Sequence, residues 1–339
     1  MSATSHVEST QRQTLFPVVQ NGLVGFIGAD GKIAIPAQFA RNEMESFRAL
    51  CAVSAQAFVA GSSPVRIGEE WGYIDRSGKT VIDPQFECAG TFGNGLAPVR
   101  ISCRWGYINS AGEIAVNPRF DEVGMFRDNF APVKADGKWG FIDRHGEYLV
   151  PPQFDDVAGS RWFLTYNPSS AHGHFSGGLA GVRLGDKWGF IDKSGLFAIK
   201  PHFDDATSFY EGLAAVALSR RWGFIDKTGN FAINPQFDGA GGFGNGRAPV
   251  FSAGQWGFVD TKGAYVANPQ FEDAYSFFEQ LAAVRFNGKW GYINTEGTYA
   301  IAPQFDEVGS FEHGVAPVRL DQLWGYVDKQ GAYIWHPTN

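Results

Sequence analysis

A block of 34 residues recurs along almost the whole chain, and this repetition constrains the fold more than any other feature. A Trp-Gly pair marks each copy, and successive pairs are separated by 34, 34, 49, 34, 34, 34 and 34 residues. A degenerate copy begins at Val24-Gly25, 47 residues before Trp71. Such spacing is typical of proteins that stack one supersecondary unit many times. The marker tryptophans are Trp71, Trp105, Trp139, Trp188, Trp222, Trp256, Trp290 and Trp324.

Glycine and proline at fixed places within each copy predict β-structure. Aromatic and β-branched residues fill the runs between them, as is typical of strands. An Asp or Asn, two variable residues and a Gly follow each Trp-Gly strand, as in Asp226 to Gly229, and this pattern predicts a tight hairpin turn. A second hairpin is predicted before each Trp. Each unit is therefore expected to be a three-stranded meander.

A connector joins each unit to the next. A proline ends the third strand, because proline cannot donate a hydrogen bond to a sheet. Acidic residues follow, as at Asp204-Asp205, and are predicted to cap a single helical turn. A phenylalanine then recurs in each connector and is predicted to point into the core. These phenylalanines are Phe92, Phe126, Phe209, Phe243, Phe277 and Phe311.

The repeated tryptophans have two interpretations. We predict that they are structural core anchors, because identical residues in every unit are what the stacking of units requires. The alternative is a row of exposed platforms for sugar rings, since aromatic faces bind flat apolar surfaces.

Several short motifs recur with the tryptophans, among them "KWGFID", "KWGYIN", "PQFD" and "GLAAV". With these motifs the chain resembles the bacterial WG-repeat family, also described from its KWG motif. The resemblance extends from about Leu15 to Pro337. It implies a β-repeat architecture and supplies no catalytic residues.

The predicted fold is all-β, with nine tandem three-stranded units in one domain, residues 15–339, after a disordered tail of residues 1–14. An open or partly closed β superhelix, or solenoid, is favoured, because nine blades are unusually many for a propeller. The alternative is a closed propeller-like ring. In that ring the N-terminal strand, Phe16 to Val19, would complete the last unit.

Two insertions interrupt the repeat, at about residues 54–66 and 159–174. Loops inserted into repeat proteins often carry binding residues. The His-Gly-His pair in the second insertion lacks a nearby third ligand, so no metal site is predicted. The candidate binding residues of the second insertion are Arg161, Trp162, Tyr166, His172 and His174.

Composition and motifs exclude several classes of function. The sequence has no serine nucleophile elbow, phosphate-binding loop or HExxH motif, so we predict that the chain is not an enzyme and needs no cofactor. The net charge of −7 gives no basic footprint for nucleic acid. Acidic pairs such as Asp155-Asp156 recur at one register beside a basic row that includes Arg183, and the two rows are expected to neutralise each other.

The expected cellular compartment is inferred from sorting, membrane and cysteine signals that the sequence lacks. The N-terminus has neither the basic start nor the apolar run of a secretory signal, and no stretch approaches the roughly 18 apolar residues of a membrane span. Cys51, Cys88 and Cys103 are odd in number and have no metal-binding spacing, which argues against a disulfide framework. A cytoplasmic location is expected.

The predicted function is that of a non-enzymatic scaffold that engages a protein partner through its repeat face and inserted loops. One version is an immunity protein that neutralises a toxin. The alternative is a carbohydrate-binding module that uses exposed aromatic residues such as Trp162, Tyr166 and Tyr275.

Overall fold

Nine small antiparallel sheets follow one another along the chain, one for each repeat. They are seen in a computed structural model that describes residues 14–40, 58–158 and 174–337. These described ranges contain strands and turns but no helix, and hence no helix of the length and hydrophobicity needed to span a membrane. The all-β fold of nine units is therefore confirmed. We call the sheets blades 1 to 9 in chain order.

Blades 1 and 2 each have three described strands, and blades 3 to 9 each have four, the first of which contains only two residues. Blade 1 contains β1 (Leu15–Gln20), β2 (Leu23–Gly28) and β3 (Ile33–Ala40), and blade 2 contains β4 (Ser62–Ile67), β5 (Glu70–Asp75) and β6 (Thr80–Phe86). Blade 3 contains β7 (Cys88–Ala89), β8 (Leu96–Ile101), β9 (Arg104–Asn109) and β10 (Ile114–Phe120), and blade 4 contains β11 (Glu122–Val123), β12 (Ala131–Ala135), β13 (Lys138–Ile142) and β14 (Tyr148–Phe154). Blade 5 contains β15 (Asp156–Val157), β16 (Ala180–Leu184), β17 (Lys187–Ile191) and β18 (Phe197–Phe203), and blade 6 contains β19 (Asp205–Ala206), β20 (Ala214–Leu218), β21 (Arg221–Ile225) and β22 (Phe231–Phe237). Blade 7 contains β23 (Gly239–Ala240), β24 (Arg247–Ser252), β25 (Gln255–Asp260) and β26 (Tyr265–Phe271), and blade 8 contains β27 (Asp273–Ala274), β28 (Leu281–Phe286), β29 (Lys289–Asn294) and β30 (Tyr299–Phe305). Blade 9 contains β31 (Glu307–Val308), β32 (Val315–Leu320), β33 (Leu323–Asp328) and β34 (Tyr333–Trp335).

The connector forms the short first strand of blades 3 to 9, which corrects the predicted helical turn. In blade 6, for example, Ala206 pairs with Val216 of the first long strand. The acid in front of the short strand does act as a cap, but it caps a hairpin turn of the blade and not a helical turn of the connector. The Asp204 carboxylate accepts hydrogen bonds from Lys187 at 2.5 Å and from the Arg220 amide, in the hairpin turn between the first two long strands, at 3.4 Å. Because the carboxylate serves that turn, its own segment stays extended.

The glycine of the Trp-Gly pair is required by a close approach of the third strand. A Cβ atom on Gly223 would lie 2.5 Å from the carbonyl oxygen of Ile233, so no larger residue fits there. The hairpin turn that follows has the predicted form. Asp226 Oδ1 accepts hydrogen bonds from the amides of Thr228 at 2.8 Å and Asn230 at 3.1 Å.

The core lies between neighbouring blades rather than within each one. The Phe209 ring of blade 6 packs against Phe190 of blade 5 with centroids 4.8 Å apart, and Phe243 of blade 7 meets Phe224 of blade 6 at the same distance. All six phenylalanines predicted to point inward are buried. Each blade therefore needs the connector of the next one to complete its hydrophobic cluster.

The marker tryptophans differ in burial. Trp188 is 2% exposed and lies opposite Phe203 of the neighbouring strand, whereas Trp324 in blade 9 is 38% exposed. The chain carries Asn339 where the other units have that phenylalanine. The burial of most marker tryptophans supports their predicted role as core anchors. Trp71, Trp105, Trp139, Trp188 and Trp290 are buried, and Trp222 and Trp256 are half-buried.

Blade 9 packs against blade 1 and closes the ring. Phe16 and Val18 of β1 form one hydrophobic cluster with Val315 and Tyr326, and a Cβ atom on Gly31 would collide with the Ile334 carbonyl. The structure is thus the closed, propeller-like alternative rather than the open superhelix that the sequence favoured. The N-terminal strand pairs with β2 of its own blade and does not complete blade 9. Closure results from packing of the two blade faces.

The two predicted insertions fall largely on residues outside the described ranges, as does the predicted tail apart from Thr14. Residues 58–66 of the first insertion are described, and they keep the ordinary spacing of a unit. Phe58 takes the place of the inward phenylalanine and packs on Phe26 with ring centroids 5.1 Å apart. The additional residues of this unit therefore precede Phe58, which corrects the predicted position of the first insertion.

The cysteines also depart from expectation. Cys88, which is buried in β7, is disulfide-bonded, whereas Cys103 is an exposed free thiol. The bonded Cys88 thus departs from the sequence argument against a disulfide framework.

Candidate functional site

Most of the predicted binding residues cannot be placed. Arg161, Trp162, Tyr166 and His172 lie outside the described residues. His174 is described and is only 8% exposed. It precedes Phe175, whose ring packs on Phe141 at 5.0 Å, so His174 lies at the edge of the core rather than on an exposed loop. Within the described ranges no group of three His, Cys, Asp or Glu residues could hold a metal ion.

Tyr275, the third aromatic residue proposed for sugar binding, is half-buried. Its ring centroid lies 4.8 Å from that of Trp290. Burial raises the pKa of its hydroxyl to about 12. Tyr275 therefore belongs to the hydrophobic cluster around Trp290, and its ring is not a free platform.

The acidic and basic rows pair with each other along one end of the blades. Lys187 bonds Asp204 at 2.5 Å, and Arg183 lies 3.6 Å from Asp156. Similar pairs recur in most blades, among them Arg221 with Asp238 at 2.6 Å. Exposed pairs of this kind contribute little to stability and leave no uncompensated charge for a ligand. The predicted mutual neutralisation is thus what the structure shows.

At the other end of the blades, the turns between the short strand and the first long strand touch one another in succession. We call these turns in blades 3 to 9 the turn ring. The Glu211 carboxylate accepts a hydrogen bond from the Gly246 amide at 2.7 Å, and the Asn245 side chain accepts one from the Gln280 amide at 2.8 Å. Side chain and backbone thus link the turns of blades 6, 7 and 8 in succession. The turn ring comprises residues 93–95, 127–129, 176–178, 210–212, 244–246, 278–280 and 312–314.

Non-glycine residues in the turn ring adopt left-handed backbone conformations. Glu211 has φ 51° and Glu279 has φ 49°, a region that Gly, Asn and Asp adopt more readily. The Glu279 carboxylate accepts hydrogen bonds from the amides of His313 at 2.6 Å and Gly314 at 2.8 Å. These bonds offset the backbone cost and fix the turns in place.

Basic residues of the following blade brace the turn ring from its side. Lys329 of blade 9 lies 3.1 Å from the Glu279 carboxylate of blade 8, and Lys193 of blade 5 lies 3.7 Å from Asp128 of blade 4. The turn ring thus also contacts the hairpin turns of the following blades.

The first residue of each turn differs from blade to blade, although the phenylalanine in front of it is repeated. The same residue types recur at the core positions of each blade, whereas the residue type at this position varies. Packing of the core therefore does not dictate which residue stands here. The position carries cationic, aromatic, small and acidic side chains at one level of the ring. These residues are Gly93, Arg127, Ser176, Tyr210, Gly244, Phe278 and Glu312.

Electrostatic interactions connect some residues of the turn ring. Burial raises the pKa of the Tyr210 hydroxyl, and Arg127, two blades away, opposes that rise. Burial likewise raises the pKa of Glu312, with His313 opposing and Glu279 adding to the rise. For Glu279 burial alone would raise the pKa, but the Gly314 amide and the Lys329 ammonium outweigh it and hold the pKa below its ordinary value.

A cleft beside Glu279 and Lys329 has a volume of about 180 Å³, below the roughly 300 to 1,000 Å³ typical of sites for drug-sized ligands. This cleft is therefore too small to hold a drug-sized ligand.

The sequence interpretation missed the turn ring because it looked for function in the insertions. The available signal was the single variable residue after each repeated phenylalanine. That signal is visible only when the units are aligned with one another.

Comparisons with known proteins agree with this architecture. The sequence profile described as WG containing repeat matches residues 71–102, 105–139, 139–160, 171–188, 188–218, 222–254, 256–290 and 290–324. No curated protein matches the sequence at a significant level.

Solved structures with a similar fold share little sequence with the chain. A eukaryotic initiation factor has a TM-score of 0.61 at 10% identity, and the alignment covers 95% of each chain. Hsv2p of Kluyveromyces lactis has a TM-score of 0.44 at 10% identity, covering 68% of this chain and 88% of that one. The dihydro-heme d1 dehydrogenase NirN has a TM-score of 0.45 at 10% identity, covering 88% of this chain and 75% of that one. At this identity the first of these supports the fold alone.

Proposed function

Because the chain belongs to the WG containing repeat family and its nine units close into a propeller, we propose that it is a non-enzymatic binding scaffold that engages a protein partner through the turn ring. The observation that carries this proposal is the non-repeated position after each inward phenylalanine. A scaffold with a fixed core can change such positions without loss of fold, which is how binding specificity is set in repeat proteins.

The chemistry of the turn ring favours a protein over other ligands. Arg and Tyr, together with other aromatic residues, are enriched where protein interfaces derive their binding energy, and Arg127, Tyr210 and Phe278 lie on one surface here. The bracing by Glu279 and Lys329 holds this surface in place before the partner arrives, so little conformational entropy is lost on binding.

Neutralisation of a toxin is one version of this function, and the inserted loop with Arg161, Trp162 and Tyr166 would extend the contact surface. This version assumes the cytoplasmic location expected from the sequence. The disulfide of Cys88 argues against that location, since disulfides persist mainly in oxidising compartments.

A photo-crosslinking amino acid placed at chosen positions tests the proposal in the native host. We expect crosslinks to a protein partner from positions 210 and 278 of the turn ring. Position 184 is the matched control, because Leu184 is 45% exposed but lies next to Arg183, at the opposite end of the blades. Equal crosslinking from all three positions, or crosslinking from position 184 alone, would contradict the proposal.

Alanine variants distinguish the carbohydrate alternative. We expect Arg127→Ala with Tyr210→Ala to lose the partner crosslinked from position 278, and circular dichroism checks that the variant is folded. A glycan array measured on the same variants provides the second readout. Glycan binding by the wild type that does not depend on these residues, without any protein crosslink, would favour the carbohydrate-binding module.

A further inference from the structure

The acidic and basic rows pair at one end of the blades, which we call the charged end, and there the basic row also covers marker tryptophans. Lys134 of blade 4 lies directly opposite Trp139, with its ammonium nitrogen 5.8 Å from the centre of the indole ring. Blades 2, 3, 5 and 8 have an arginine in this place. In all five blades the tryptophan is at most 8% exposed. The stem of the basic residue and its charge thus shield the indole from water.

Blades 6 and 7 lack this cover. Ala217 lies opposite Trp222, and Phe251 lies opposite Trp256. Among the marker tryptophans of blades 2 to 8, these two are half-buried and the other five are buried. The Phe251 ring centroid lies 5.3 Å from that of Trp256 and the two planes are tilted by 47°, so part of the indole stays exposed beside it. Two partly exposed indoles therefore occupy the same position in consecutive blades.

Blade 7 carries neutral residues at three positions of the charged end. In blades 4, 5 and 8 these positions hold an acid, a basic residue and a lysine, in that order. In blade 7 they hold Gly239, Phe251 and Gln255. A Cβ atom on Gly239 would lie 3.1 Å from the Cβ atom of Phe251 and 3.8 Å from the Trp256 ring, so the glycine leaves room for both rings. The three neutral residues thus form one local arrangement around Trp256.

Packing of the core does not require this arrangement. Phe258 of blade 7 is fully buried and meets Phe277 of blade 8 with ring centroids 5.2 Å apart. Phe141 of blade 4 meets Phe175 of blade 5 in the same way at 5.0 Å, although blade 4 keeps its charged residues. Exposed aromatic surface that the core does not need is typical of binding sites.

From these features we propose that the charged end of blades 6 and 7 binds an uncharged oligosaccharide, with one sugar ring on Trp256 and a second on Trp222. The C–H face of a sugar ring is flat and apolar and packs on an indole. A chain of sugars would use both indoles, because they stand at the same level of neighbouring blades. This site lies at the opposite end of the blades from the turn ring, and its test does not depend on the function proposed above.

The charges that flank blade 7 favour an uncharged ligand. Arg221 pairs with Asp238 at 2.6 Å, and Arg285 pairs with Glu272 at 3.5 Å. Each of these charges is compensated by its partner. An anionic or cationic ligand would therefore gain little electrostatic attraction at this end of blade 7.

Gln255 supplies the hydrogen bonds that a sugar hydroxyl needs. Its side-chain nitrogen donates to the Gln270 carbonyl at 3.2 Å. A side-chain amide has a second N–H and a carbonyl oxygen, so it can still donate to one hydroxyl and accept from another. Gln255 is exposed and directly precedes Trp256 in the strand. A sugar would thus find an aromatic ring and a hydrogen-bonding group side by side.

An apolar segment of a partner protein fits these surroundings less well. Anchor residues in protein interfaces fill well-packed pockets from which water is excluded. Trp222 and Trp256 are instead half-buried next to the exposed side chains of Arg221 and Gln255. A ligand that is polar around its edge and apolar on its face matches this mixture of groups.

An array of neutral and acidic glycans, followed by calorimetry with the neutral oligosaccharides that bind, tests the proposal on the full-length protein. We expect saturable binding of at least one neutral oligosaccharide. Acidic glycans of the same length should bind at least roughly fivefold more weakly, because desolvation of their carboxylates is not repaid by a free cation. Shortening the bound oligosaccharide to a single sugar should also weaken binding, since only one indole is then covered.

Two variants locate the site. In the covered variant, Ala217→Arg, Gly239→Glu and Phe251→Arg introduce the residue types that other blades carry at these positions. We expect it to fold, as circular dichroism would show, and to bind at least roughly tenfold more weakly. Gln255→Ala changes an exposed side chain and should weaken binding roughly threefold to tenfold. Leu184→Ala, at the same end of blade 5 and 45% exposed, is the control and should bind as the wild type does.

Four results would overturn the proposal. One is that no neutral glycan on the array binds. Another is that the folded covered variant and Gln255→Ala both bind as tightly as the wild type, which would put the sugar site elsewhere. Tighter binding of acidic glycans would contradict the neutral character of the site. A photo-crosslinker at position 255 that captures a protein, without any glycan binding, would identify a protein segment as the ligand.

Discussion

The hydroxyl of Tyr326 donates a hydrogen bond to the carbonyl of Pro17 at 2.7 Å, across a sequence separation of 309 residues. The equivalent hydroxyls inside the ring donate to the short strand of the next blade, as Tyr107 does to Gly124 at 2.7 Å. At the contact between blades 9 and 1 the donor is again a tyrosine hydroxyl, but the acceptor lies in the first long strand, β1, instead of beside a short strand. The ring is closed by a defined set of contacts between the first and last blades.

Deletion of residues 1–20 tests whether the ring is closed in solution. It removes Phe16 and the Pro17 carbonyl, so we expect faster amide hydrogen exchange in blade 9, residues 315–335, as well as in blades 1 and 2. Deletion of residues 1–13 alone is the control, because β1 is retained. Protection that is lost only in blades 1 and 2 would show that blade 9 does not depend on blade 1.

Substitution of two marker tryptophans tests their role as core anchors. Trp188→Ala should lower the free energy of unfolding by about 3 to 5 kcal/mol, because Trp188 is fully buried opposite Phe203. Trp324→Ala should lower the free energy of unfolding by much less, since part of that side chain is already exposed to water. Urea denaturation followed by circular dichroism measures both. Equal costs would contradict the assignment of the tryptophans to the core.

The buried tyrosines test a single hydrogen bond between blades. In Tyr107→Phe the Gly124 carbonyl loses its hydroxyl donor, and we expect a loss of about 0.5 to 1.5 kcal/mol. Burial raises the pKa of Tyr107 well above its ordinary value, so the hydroxyl stays protonated and the loss should not vary with pH below about 9. The natural control is blade 6, where Phe224 occupies the same position. A variant as stable as the wild type would show that the bond makes no net contribution.

The carboxylates that cap the hairpin turns predict how stability depends on pH. Hydrogen bonds from Lys187 and from the Arg220 amide hold the pKa of Asp204 below its ordinary value. A carboxyl whose pKa is lower in the folded state stabilises fully above its unfolded pKa of about 3.9, and the contribution is lost as the pH falls through the folded pKa. We therefore expect the urea midpoint to fall in the acid range, and to fall less steeply in Asp204→Asn. Parallel curves for the two proteins would refute this.

Thiol labelling tests the cysteine assignment. Iodoacetamide added without a reductant should modify Cys103, which is exposed, and leave Cys88 unmodified. After reduction and unfolding both residues should be labelled, as peptide mass spectrometry would show. Labelling of Cys88 in the unreduced, unfolded protein would show that the disulfide does not form.

The parts of the fold that repeat were predictable from the sequence. Asp226 and Gly229 define a turn by their own chemistry, and Phe209 stands where a core residue recurs, so both were predicted correctly. The connector was not, because two paired residues such as Asp205 and Ala206 are too short to produce a strand pattern. Whether the stack closes depends on small rotations summed over nine units, and no single residue encodes that sum.

The candidate site was predictable only in part, for a related reason. Residues such as Arg127 and Tyr210 lie far apart in sequence and interact electrostatically only because of the way the blades are arranged. The closure of the ring escaped prediction as well. The contact between Phe16 and Tyr326 joins the first and last blades, and no local pattern in the sequence shows it.

The packing of each inward phenylalanine on the preceding blade has a consequence for synthesis of the chain on the ribosome. Blade 6 lacks a wall of its hydrophobic cluster until Phe243 has emerged, so each newly made unit waits for part of the next one. Blade 1 is completed latest, because Phe16 is made 310 residues before its partner Tyr326. Throughout elongation the nascent chain therefore carries an apolar N-terminal surface, to which a chaperone would be expected to bind.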